Sequence, residues 1–261
     1  MAGNDCCIKR SAIILGAFML FFALWYFNIA VRPFEDSIGS SRTLHYTLNY
    51  LLAGLIPTGA LFLLHAHRDI ASSMGLSHGF GTGLLFAVTA TLPMIAGYAV
   101  IGEFDGELSA DEAFTWIFIA GMFEELVYRG FVFGQLFRYA RWGFLPAALA
   151  FGSLHLYQGH DPASALTAFG VTALGSIFFS WLYVEWNYNL WSVIWLHTLM
   201  NLPWIVFRVS TSGAVGDIGA NALRLCTIIL AIGLTVAYKR KQGLPYRIQI
   251  NTLITNKIQN A

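Results

Sequence analysis

Residues 113–137 read AFTWIFIAGMFEELVYRGFVFGQLF. The stretch is apolar over more than the roughly 20 residues that a helix needs to cross a hydrocarbon core about 30 Å thick. Yet it carries Glu124, Glu125 and Arg129 near its middle. Charged groups at such a depth are costly and are retained for function far more often than by accident. The rest of the chain has the same solvent in mind. Of its 261 residues, 57% are hydrophobic and 11% charged, and the mean hydropathy is +0.61. A soluble domain carries about 25% charged residues, so this surface is covered by lipid rather than water. The chain reads as an all-α, polytopic transmembrane helical bundle.

Apolar runs place about eight spans, near 11–31, 44–64, 79–101, 113–137, 142–157, 163–184, 189–208 and 220–238, the fifth being short. They form one membrane domain, 1–238, followed by a polar basic tail, 239–261. The first run has no small-residue cleavage site and is read as a retained span. With the N-terminus inside, the inner segments hold Lys9, Arg10, Arg68, Arg138, Arg141, Lys239, Arg240, Lys241, Arg247 and Lys257. The outer segments hold Arg32, Arg42, Arg208 and Arg224, and the loop at 102–112 adds Glu103, Asp105, Glu107, Asp111 and Glu112. Basic residues favour the cytoplasmic side, so both termini are expected there, in a multi-pass protein of a cell membrane, the inner membrane of a bacterium. A net charge of +1 gives no field for nucleic acid. Cys6, Cys7 and Cys226 are too few for a disulfide framework; the first two sit where S-acylation is conceivable, although unmodified thiols explain them as well.

Further intramembrane polar residues fall on two other spans: His155 in AFGSLHL, and His197 and Asn201 in WLHTLMN. Glu125 and Arg129 are four apart, on one helical face, and can pair; His197 and Asn201 have the same spacing. Glu124 is left to point elsewhere. At about 1.5 Å of rise per residue, Glu124, His155 and Asn201 lie roughly 17–20 Å from the ends of their spans, close to mid-membrane. A carboxylate in an apolar pocket serves as a general base. A neighbouring histidine can share the proton, and an imidazole N–H with an amide can hold an oxyanion. Singly, each group has a structural explanation: an ion pair, or helix-to-helix hydrogen bonds. Together they make the set that water-mediated peptide hydrolysis requires.

At these residues the chain resembles the CPBP family of membrane proteins, which includes the Ras-converting CAAX endopeptidase. The resemblance rests on Glu124-Glu125-Leu126-Val127-Tyr128-Arg129, Phe151-Gly152-Ser153-Leu154-His155 and His197-Thr198-Leu199-Met200-Asn201, in that order. It covers about 113–208. It implies an intramembrane endopeptidase in which Glu124 and His155 activate water, His197 and Asn201 hold the oxyanion, and Glu125 and Arg129 orient the set. The implied substrate is a protein or peptide, lipidated or membrane-anchored, cleaved near its C-terminus or in a membrane segment.

No cofactor is expected, since the chain has no HExxH; the alternative is zinc on Glu124, His155 and His197. Two other functions remain open at this point: an immunity or scaffolding member of the family, and a proton-coupled transporter, against which stands the lack of paired halves. Ser153 is a poor nucleophile for His155, because two residues apart on a helix points the side chains to opposite faces.

Overall fold

The computed structural model describes residues 2–65, 69–209 and 218–248. Its helices are α1 (Ala2–Tyr26), α2 (Glu35–Ile38), α3 (Arg42–Ala53), α4 (Leu55–His65), α5 (Ile70–Met74), α6 (Phe80–Ile101), α7 (Ala110–Phe114), α8 (Ala120–Glu125), α9 (Gly134–Leu136), α10 (Phe144–Ser153), α11 (Pro162–Glu185), α12 (Leu190–Val206) and α13 (Ile218–Gln242). One two-residue antiparallel pairing, β1 (Glu103–Phe104) with β2 (Phe207–Arg208), completes the set. Among the described residues, five stretches are long and apolar enough to cross a membrane: Cys6–Tyr26, Arg42–His65, Phe80–Ile101, Pro162–Glu185 and Ile218–Gln242. Large apolar side chains such as Met19, Leu63, Leu85, Val100 and Leu174 stay exposed on them, as a lipid-facing surface requires.

The other three expected spans have different local forms. Residues 110–136 are one continuous helix, the motif helix, in which π segments Thr115–Ile119 and Leu126–Phe133 flank α8. The expected fifth span has a regular helix of only ten residues, about 15 Å, extended by 3₁₀ turns at Arg141–Gly143 and Leu156–Gln158. The seventh, α12, has 17 residues. The second span is broken between α3 and α4. Pro57 has no N–H for the Ala53 carbonyl and its ring crowds that carbonyl; Gly54 sits at the break, and its carbonyl takes Thr58 N and Thr58 Oγ1 instead.

Helix ends are tied together at two poles. At one pole, Arg10 donates to Tyr139, His65 pairs with Gln135, Arg138 donates to the Ser73 carbonyl and Tyr183 to that of Met74. Lys239 forms a buried ion pair with Glu185 there, and Glu185 also accepts the backbone N–H groups of Arg247 and Ile248. At the other pole, β1 meets β2, Arg208 bridges Asp105 and Glu107, and Asp111 accepts from Ser41 and from the Arg42 backbone. Hydroxyl donors from Thr43 and Ser41 hold the Asp111 carboxyl below the usual carboxylate range. Of the basic residues expected on the inner side, Arg68, Lys257 and the Arg141 side chain lie outside the described residues, as does the tail beyond 248.

Between the poles, α12 packs on α6 and on α8, α10 lies against α11, and α1 covers α3 and α4. The contact of α12 with the motif helix depends on Gly121. A Cβ there would stand 2.8 Å from Thr198 Oγ1 and 3.2 Å from the Thr198 nitrogen, so only glycine admits so close an approach.

Candidate active site

That close approach brings His197 onto both glutamates of α8. His197 Nδ1 lies 2.7 Å from Glu125 Oε1, and its Nε2 lies 3.8 Å from Glu124 Oε2. Since a carboxylate accepts, the Nδ1–H donates to Glu125 and fixes the ring. Glu125 Oε1 is also 2.8 Å from Arg129 Nη1, so the i, i+4 pair expected from sequence is formed. Glu125 and Arg129 are buried, whereas the Glu124 and His197 side chains each retain 15% of their exposure. Glu124 and His197 are thus partly exposed, and the pair behind them is closed off.

The Arg129 guanidinium is held between two rings, 4.8 Å from the Phe151 centroid and 5.2 Å from that of Phe179. Cation–π attraction is strongest where, as here, the cation has lost its water. Phe179 also meets the His197 ring edge-on at 5.7 Å.

Phe151 has a second task. Its carbonyl lies 2.8 Å from His155 Nδ1. A carbonyl can only accept, so Nδ1 carries a proton and Nε2 of the neutral ring presents a lone pair. His155 stands beyond the end of α10, as the residue before the 3₁₀ turn Leu156–Gln158. The expectation that it sits on a regular helix is corrected: tighter i→i+3 bonds, such as His155 N to Gly152 O, turn the chain there. The ring stays close to the cluster, 4.9 Å from Phe151, which is itself 6.3 Å from His197.

Asn201 lies one turn beyond His197 and donates Nδ2–H to the Trp116 carbonyl at 3.0 Å. Trp116 belongs to the first π segment, whose geometry leaves room for such outside donors. Four of the six expected residues (Glu124, Glu125, Arg129 and His197) are thus in one chain of contacts. His155 joins them through Phe151, and Asn201 is anchored beside them.

Sequence reasoning missed Tyr46. Its hydroxyl donates to Glu124 Oε1 at 3.4 Å, and it comes from α3, outside all three motifs. Phe179 was also missed as a positioning group, because an aromatic residue in an apolar run gives no sign beyond core packing; Phe151 was read as part of a motif, without its contact to Arg129.

Among the described residues, no three His, Cys, Asp or Glu side chains converge as a ligand set for a metal, Glu124, His155 and His197 included.

Residues 109–203 match the family model described as type II CAAX prenyl endopeptidase Rce1-like. That segment, 95 of the chain's 261 residues, is similar to the family. The match spans the motif helix, α10, α11 and most of α12, and ends just past Asn201. No curated protein and no solved structure is significantly similar to the chain. This similarity, set among apolar helices of membrane length, supports an intramembrane protease in general terms.

Proposed function

We propose that the Rce1-like chain is a glutamic intramembrane endopeptidase in which Glu124 is the general base. The observation that supports this best is the bridge of His197 between a buried, arginine-paired Glu125 and a partly exposed Glu124. Of the two carboxylates, Glu125 is committed to structure and Glu124 is available for chemistry.

A water held between Glu124 and the lone pair of His155 Nε2 attacks the scissile carbonyl carbon, and Glu124 takes its proton. The resulting oxyanion accepts from the second N–H of Asn201, the first being bound to Trp116. It also accepts from His197 Nε2. Because Nδ1–H already serves Glu125, His197 fills that role when protonated on both nitrogens. Collapse breaks the C–N bond, and the proton returns to the leaving amine. Each oxyanion donor is worth roughly 10²–10³ in rate.

The family description names a prenyl substrate. The corresponding substrate class here is a lipidated or membrane-anchored protein cleaved near a C-terminal Cys-a-a-X end. The finer topology belongs to the same reading: eight crossings, both termini and the site opening on the cytoplasmic side, and residence in the inner membrane of a bacterium. Nothing in the family match favours the transporter or immunity readings.

The test is cleavage of a farnesylated Cys-a-a-X peptide by the purified full chain in nanodiscs, alongside membrane proteomes of cells with wild-type protein or Glu124→Gln. Trimmed C-termini that depend on Glu124 are expected. A Glu124→Gln protein with near-wild-type cleavage overturns the base.

A further inference from the structure

Glu124 is flanked by three tyrosines: Tyr46 and Tyr50 on α3, outside the three motifs, and Tyr128 at an unspecified position of the first, in the second π segment. Tyr46 and Tyr50 precede the family match, which starts at 109. Two of these phenols are packing groups in the first instance. The hydroxyl of Tyr128 is buried without a hydrogen-bond partner, and that of Tyr50 is buried against Tyr46 rather than against the carboxylate. Tyr50 stacks on Phe123, the neighbour of Glu124, with centroids 5.1 Å apart. Tyr46 alone donates to the carboxylate.

The position of Tyr46 is fixed from three sides. Its ring meets Trp116 edge-on at 5.3 Å, Trp25 at 6.2 Å and Tyr50 at 5.0 Å. The start of α3 is bound to the start of the motif helix by Ser41 and Arg42 on Asp111, and by a 2.8 Å contact between the Thr43 and Thr115 hydroxyls. This clamp sets the height of Tyr46 against the helix that carries Glu124. Trp116, the ring against Tyr46, is also the residue whose carbonyl holds Asn201. The same element thus locates the phenol and the amide.

The consequence for the carboxylate is that its two oxygens are sorted. Oε1 faces Tyr46, and Oε2 faces His197 Nε2 at 3.8 Å. A glutamate with one oxygen held cannot rotate freely, and the other oxygen is presented in a defined direction. At 3.4 Å the phenol bond is longer than the usual O–H···O distance of about 2.7–2.8 Å. Catalytic hydrogen bonds of this kind tighten when the reacting complex forms.

We infer that Tyr46 is a positioning residue for Glu124: its hydroxyl holds Oε1 so that Oε2 is aimed at the attacking water. The inference rests on Glu124 being the base. It extends the working site to α3, beyond the matched domain.

The experiment uses the full chain in nanodiscs, with Tyr46→Phe, Tyr50→Phe and Glu124→Gln. Phe keeps the ring packing at 46 and removes only the hydroxyl. A hydrogen bond to a charged group corresponds to about a ten- to hundredfold effect. Tyr46→Phe is therefore expected to lower kcat on the farnesylated peptide by that factor with KM nearly unchanged, and Tyr50→Phe to leave kcat within about threefold. A second readout needs no turnover. The infrared carboxylate stretch of Glu124, identified by its loss in Glu124→Gln, is expected to move in Tyr46→Phe and to stay in place in Tyr50→Phe. An unmoved band together with a wild-type rate in Tyr46→Phe, where Glu124→Gln is inactive, overturns the inference and leaves the base assignment standing. A fully active Glu124→Gln overturns the base, and the catalytic purpose of Tyr46 with it. An equal band shift in both tyrosine variants overturns the specific role of Tyr46.

Discussion

Arg129 is the largest side chain that the fold buries completely, and it is buried as a cation between two phenyl rings and one carboxylate. Such a pair contributes little net stability, but removing one member strands the other charge and costs about 3–5 kcal/mol. Arg129→Met is expected to lower the unfolding free energy in detergent by that amount, measured by thermal or denaturant unfolding. Adding Glu125→Gln should recover much of the loss without restoring cleavage, because His197 then has a neutral acceptor. A double variant no more stable than the single one would mean that the arginine acts through packing on Phe151 and Phe179, not through charge. The i, i+4 pair was legible in the sequence, since helical periodicity alone puts residues 125 and 129 on one face. The attachment of His197 to the same carboxylate was not. Spacing within one helix carries no information about its rotation against another, and that rotation is decided here by the absence of a side chain at 121.

The element scale holds the larger differences between sequence and structure. Apolar runs located the five long apolar helices, the third (79–101 against Phe80–Ile101) almost to the residue, while the first was set too late, at 11–31 against Ala2–Tyr26. They did not reveal how three of the expected spans depart from a plain α-helix. Pro57 was visible, but its effect on the Ala53 carbonyl was hidden inside an uninterrupted apolar run. The π segments on either side of α8 have no compositional signature, and they widen the helix around the glutamates; π turns of this kind gather at functional sites. Gly121 is where such geometry can be tested. Gly121→Ala places a methyl 2.8 Å from Thr198 Oγ1, which pushes α12 from α8 and lengthens the His197 contacts. The expected result is at least a tenfold fall in cleavage with normal membrane yield, since angstrom-scale misplacement of a catalytic group costs that much or more. Thr198→Ala removes the nearer obstacle and should return part of the activity to the Gly121→Ala protein. Unchanged cleavage by Gly121→Ala alone would show that the helices can separate without harm to the site.

On the scale of the whole molecule, the two poles differ in charge as well as in contacts. One gathers Lys9, Arg10, Arg138, Lys239, Arg240, Lys241 and Arg247; the other gathers Glu103, Asp105, Glu107, Asp111 and Glu112 around Arg42 and Arg208. The same-pole contacts of Arg10 with Tyr139 and of Lys239 with Glu185 require α1 to begin, and α13 to end, on one side of the bundle. The eight-crossing reading proposed above counts the short fifth segment, α10 with its 3₁₀ extensions, as a crossing. In the proposed orientation the basic pole is the cytoplasmic one, by the positive-inside bias. The test is thiol labelling in intact cells with a membrane-impermeant maleimide, in a Cys226→Ser background. Glu107→Cys, in the exposed acidic loop, is expected to label without permeabilisation, and the native Cys6 and Cys7 only after it. Labelling in the reverse order would invert the protein in the membrane. The Glu124 site would then have to receive its substrates from outside the cell, where no cytoplasmic lipidated C-terminus could reach it.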